Sequence, residues 1–66
     1  MCEATVYMER GGQCEKVMED VVYIESAGAE IMLGRLFEAA RTIEGVIREV
    51  DFLKHRVVLT MQRAER

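Results

Sequence analysis

The sequence predicts a mostly β domain, a small antiparallel barrel or rolled sheet of five to six short strands. Three observations predict it. Residues 2–9, CEATVYME, alternate between two faces, the pattern of a half-buried strand. β-branched and aromatic residues gather in short runs, VVYIE at 21–25 and VVLT at 57–60, which suits a pleated surface. Turn signals separate the runs at intervals of roughly 8 to 14 residues, the spacing of small all-β folds.

Each element has its own justification. In the first strand Ala4, Val6 and Met8 share one face and Glu3, Thr5, Tyr7 and Glu9 the other. Gly11 and Gly12 follow, and glycine accepts the positive φ of a tight two-residue hairpin turn. The second strand runs from about Cys14 to Met18, which sets Cys14 beside Glu9 and Val6 opposite Val17. Glu19 and Asp20 interrupt the pattern, VVYIE resumes it, and residues 26–29, SAGA, are a turn. Residues 29–43 are open to two readings. A helix would group Met32, Leu36, Ala40 and Ile43. A strand over 30–37 would group Ile31, Leu33 and Phe37, and Gly34 costs a helix up to about 1 kcal/mol, which favours the strand. Residues 43–52 and 57–61 form a last hairpin turning at Lys54-His55. One strand carries Val46, Val50 and Phe52 on a face, the other Val57, Leu59 and Met61; Gly45 is read as a bulge and 62–66 as a polar tail.

The chain has 66 residues, so one domain over 1–66 is expected. A domain of this size buries only about 60% of its unfolded surface. Such domains are often supplemented by disulfides, metal or a second subunit. A disulfide is not expected. With Cys14 beside Glu9, Cys2 lies about seven residues along the strand, roughly 23 Å away, whereas bridged Cα atoms lie within about 7 Å. No secretory apolar segment precedes the cysteines, so both thiols are read as reduced and the protein as cytoplasmic. That leaves metal or a partner copy, and the homodimer is the commonest closed assembly. No apolar run reaches the roughly 18 residues of a membrane-spanning helix.

The net charge of −3 is unevenly spread: residues 1–33 hold seven acidic and two basic groups, residues 34–66 five and seven. An acidic N-terminal half favours cations over phosphate. There is no phosphate-binding glycine loop, no Cys-x-x-Cys pair and a single histidine, His55. Neither zinc spacing nor a histidine-based triad is present, and the chain is not read as an enzyme. Arg41, Arg48, Lys54, Arg56 and Arg63, with Tyr7, Tyr23, Phe37 and Phe52 as stacking platforms, are the material for an RNA-binding face. Interspersed acids, and the need for two or more of these aromatics in the core, disfavour nucleic acid.

Cys2 is the candidate site residue. Cysteine at position 2 normally allows removal of Met1, which leaves a thiol and an α-amine able to close a five-membered chelate ring. A thiolate with nitrogen donors suits nickel, copper or zinc. The alternative is an ordinary buried strand cysteine. His55 is a possible further ligand, against an exposed turn side chain. Cys14 is read as a remote free thiol. The five methionines show no local cluster and read as core filler.

With these residues in view, the chain resembles the CooT family of small nickel-binding proteins, associated with maturation of the nickel carbon monoxide dehydrogenase. The resemblance covers nearly the whole length. Met1-Cys2 is its most specific element, joined by Ala4-Thr5-Val6-Tyr7, Gly11-Gly12, VVYIE, Leu36-Phe37-Glu38, Gly45 before Ile47 to Asp51, and VVLT. It implies a β-rich homodimer binding Ni(II) through Cys2, with carbon monoxide dehydrogenase or its maturation factors as partners. The chain lacks a histidine-rich tail, which favours delivery over storage. Two Cys2 residues meeting at a two-fold axis would offer two sulfurs and two backbone nitrogens, a planar set that suits Ni(II) better than tetrahedral Zn(II).

Overall fold

The structure is a computed structural model that describes residues 3–61. Seven strands follow one another: β1 (Ala4–Arg10), β2 (Gln13–Val21), β3 (Tyr23–Ala27), β4 (Glu30–Gly34), β5 (Arg41–Glu44), β6 (Val46–Asp51) and β7 (Arg56–Thr60). There is no helix among the described residues. The ambiguity over 29–43 therefore resolves as strand, turn, strand. The strands form a four-stranded sheet, β2-β1-β7-β6, and a three-stranded sheet, β3-β4-β5. Together they make a rolled sheet, mostly antiparallel as expected, with the single pair β1·β7 parallel.

The first hairpin turns at Gly11 and Gly12, whose φ values of 55° and 81° are those of a type I′ turn. Cys14 lies opposite Glu9, as the spacing predicts. Farther along the register differs: Val6 faces Met18, not Val17. The physical reason is an irregularity between Val6 and Tyr7 that makes Val17 an extra residue of β2; a second irregularity follows between Ala4 and Val6, and Asp20 there holds φ 61°. The bulges lengthen β2 and bend it, so that the chain leaves one sheet at Val21 and enters the other at Tyr23.

A second crossing splits the strand expected over 43–52 in two and raises the count to seven. Gly45 is the hinge. Its φ is +148°, its amide donates to the Ala29 carbonyl at 2.8 Å, and a Cβ there would lie 3.1 Å from the Thr60 carbonyl oxygen. Only glycine lets the backbone pass this closely.

The core joins the two sheets. Val6, Met8, Met18, Val21, Ile31, Leu33, Val57 and Leu59 are buried, with Ala4, Val17, Ile24 and Ile43 packed on them. It is wholly aliphatic and methionine. The expectation of aromatics in the core fails: Tyr23 is half exposed, Phe52 85% and Phe37 101% exposed. Phe37 also leaves the face expected to join it to Ile31 and Leu33, because β4 ends at Gly34 and the chain turns over residues 35–38. There the Glu38 amide donates to the Arg35 carbonyl, and the two side chains form an ion pair at 3.5 Å. Phe52 likewise lies in the β6–β7 turn rather than on a strand face with Val46 and Val50.

Candidate metal centre

The start of β1 is fixed on one side by β7. The parallel register sets Thr5 against Arg56, and the Thr5 amide donates to the His55 carbonyl at 2.9 Å. His55 holds φ 53° at the end of the turn, and the Asp51 carboxylate accepts from the Lys54 amide at 3.1 Å. The turn is thus locked against β1 three residues after Cys2. Cys2 itself lies outside the described residues. Its neighbour Glu3 lines two adjoining clefts, one with Ala4, His55 and Phe52 and one with Asp20, Val22 and Leu36.

Exposed apolar side chains collect around this end. Leu36 and Phe37 come from the β4–β5 turn, Phe52 and Leu53 from the β6–β7 turn, and Val22 from the crossing between the sheets. Large exposed apolar patches mark interaction surfaces.

Cys14 is a free, exposed thiol at the far end of β1, beside Glu9. The structure therefore does not bring Cys14 to the beginning of the chain, as the hairpin spacing predicts. No group of three or more His, Cys, Asp or Glu side chains converges among the described residues. His55 is exposed in its turn and lines the cleft that Glu3 also lines.

Two of the arginines considered for a nucleic-acid face are already occupied. Arg48 meets Glu9 at 2.7 Å and Glu49 at 3.5 Å, and Arg56 meets Asp51 at 3.9 Å. Among the described residues, Tyr23 has a perturbed phenol. Its hydroxyl donates to the Glu25 carboxylate at 2.7 Å, and this bond, aided by the nearby negative charge, holds the phenol above its ordinary range.

The family model for the CO dehydrogenase accessory protein CooT matches residues 1–60. The chain belongs to the CooT family. The fold agrees: the crystal structure of a provisionally assigned CooT from Carboxydothermus hydrogenoformans superposes with a TM-score of 0.82 at 22% identity, covering 94% of this chain and all of that one. No curated protein matches the sequence. Membership in this family assigns the chain an accessory role in the carbon monoxide dehydrogenase system.

Proposed function

We propose that this protein is a nickel carrier for carbon monoxide dehydrogenase maturation that holds one Ni(II) between two copies through Cys2. The observation that carries the reading is the position of Cys2, just before a strand whose start is pinned by β7 at the Thr5–His55 hydrogen bond.

One protomer is not enough. A single thiolate with one nitrogen leaves a divalent ion half coordinated. A second copy supplies the missing pair. The exposed Leu36, Phe37, Phe52 and Leu53 near this end offer the apolar area that two copies need to meet. The thiolates and nitrogens would form a planar N₂S₂ set, the geometry preferred by Ni(II) and Cu(II). Copper binds such donors more tightly than nickel, so selection of nickel rests on supply and on the partner enzyme. Glu3, next to Cys2 in sequence, and Asp20, which lines a cleft with Glu3, supply negative charge that favours a cation.

Calorimetric titration of Ni(II) into the wild type and Cys2→Ser tests the proposal. The wild type saturates and the variant shows no heat above dilution. Equal affinity in the two proteins refutes the role of Cys2.

A further inference from the structure

His55 is the single histidine of the chain, and imidazole is a donor that nickel takes readily. β7 brings this residue to the start of β1. The parallel ladder sets Thr5 against Arg56, so Ala4 comes level with His55, and the Thr5 amide donates to the His55 carbonyl at 2.9 Å.

Covalent geometry then limits how far Cys2 can be. Cys2 precedes Ala4 by two residues, which keeps their Cα atoms within about 7 Å of each other. Adjacent strands lie about 4.8 Å apart, so the Cα atoms of Cys2 and His55 are separated by about 12 Å at most. A thiolate and an imidazole that share one ion, with metal bonds of about 2.0–2.3 Å, span a separation of this order. Residues two apart on a strand share a face. Cys2 has the sequence parity of Ala4, and Ala4 lines the same cleft of about 310 Å³ as His55.

The cleft itself singles out the imidazole. Four of its side chains carry an atom that could bind a cation: Glu3, Tyr23, Asp51 and His55. Tyr23 donates its hydroxyl proton to Glu25 at 2.7 Å, and the Asp51 carboxylate accepts from the Lys54 amide and meets Arg56. The side chains of Glu3 and His55 make no hydrogen bond or ion pair with another described residue. Of these two, a carboxylate suits calcium, magnesium and manganese, whereas an imidazole suits nickel. His55 also holds a left-handed backbone at φ 53°, a conformation uncommon for residues with a side chain, and in it the His55 carbonyl is tied to β1.

We propose that His55 supplies an imidazole nitrogen to the same Ni(II) ion that Cys2 binds, as a donor beyond the two sulfurs and two nitrogens. This rests on the reading that Cys2 holds nickel. The pairing of β1 with β7 inside one protomer sets the distance between the two residues, so a thiolate and an imidazole come to the ion from the same chain.

The test uses the full chain, wild type and His55→Asn, loaded with a limiting amount of Ni(II). Asparagine accepts a positive φ, and the carbonyl that Thr5 uses belongs to the backbone, so the turn is kept. X-ray absorption at the nickel edge should show sulfur in the first shell of the wild type together with the outer-shell scattering of an imidazole ring. His55→Asn should keep the sulfur, lose the ring scattering and bind Ni(II) at least tenfold more weakly by calorimetry. Sulfur without ring scattering in the wild type, or an unchanged spectrum and affinity in His55→Asn, overturns the role of His55 and leaves nickel binding by Cys2 standing. Ring scattering without sulfur overturns the reading of Cys2, and the shared site with it. The wild-type spectrum decides the question even if His55→Asn fails to fold.

Discussion

Replacing Gly45 by alanine tests the hinge between the two sheets. Gly45 sits at φ +148°, and the added Cβ would lie 3.1 Å from the Thr60 carbonyl oxygen and 3.3 Å from the Met8 Cε. The backbone conformation alone costs a residue with a side chain about 1–3 kcal/mol. The Met8 methyl can move, at some loss of core packing, but the Thr60 carbonyl belongs to the β6–β7 ladder. Together these put the loss at roughly 2–4 kcal/mol. Gly28→Ala is the internal control. It has a positive φ of 62° but nothing within 4 Å of the new Cβ, so it loses only about 1 kcal/mol. Urea unfolding followed by circular dichroism reads the difference. A domain of this size has only about 3–5 kcal/mol of core stability to lose, so Gly45→Ala should unfold at a much lower urea concentration, with most of its stability gone, while Gly28→Ala keeps most of its transition. If the two variants unfold at the same urea concentration, the close-approach argument is wrong.

Further outcomes follow from single side chains. Phe37→Gly should leave the protomer as stable or up to about 1 kcal/mol more stable by urea unfolding, because Phe37 is fully exposed at φ 63°; the same change should weaken self-association in analytical ultracentrifugation if the apolar end joins two copies. Leu33→Ala removes a fully buried side chain of β4 and should cost about 2–5 kcal/mol, seen as loss of the cooperative thermal transition. Glu25→Gln should lower the Tyr23 midpoint in a spectrophotometric phenol titration toward the ordinary value of 10.0. The sign follows from the raised folded-state value: the Tyr23–Glu25 contribution is complete below pH 10 and disappears as pH rises through the folded midpoint. An unchanged midpoint would dismiss the hydrogen bond as its cause.

The strands were legible where local chemistry decides them. The alternation of Ala4, Val6 and Met8 marks a buried face, and all three pack in or against the core. Paired glycines at 11 and 12 require a tight turn, and that turn sets Cys14 against Glu9. What escaped the sequence depends on contacts between distant segments. The bulges in β2, one of which moves Val6 onto Met18, bend the strand as it passes between the sheets. The division of 43–52 at Gly45 reflects the neighbouring Thr60 and Met8, fifteen and thirty-seven residues away in sequence. Phe37 and Phe52 look like core residues by type, yet their turns carry them out to solvent. Cys2, the proposed ligand, lies outside the described residues, and only its position after Met1 was legible in the sequence. The anchoring of β1 by the His55 carbonyl was not, because a parallel pairing between the two ends of the chain leaves no local mark.

The most direct test of nickel capture by paired Cys2 residues is native mass spectrometry of the protein loaded with a limiting amount of Ni(II), which weighs the complex and counts its metal in one spectrum. The account predicts a single ion on a two-chain species, with the mass of Cys2→Ser unchanged by nickel. An ion on each separate chain, or a nickel-bearing Cys2→Ser dimer, would contradict it.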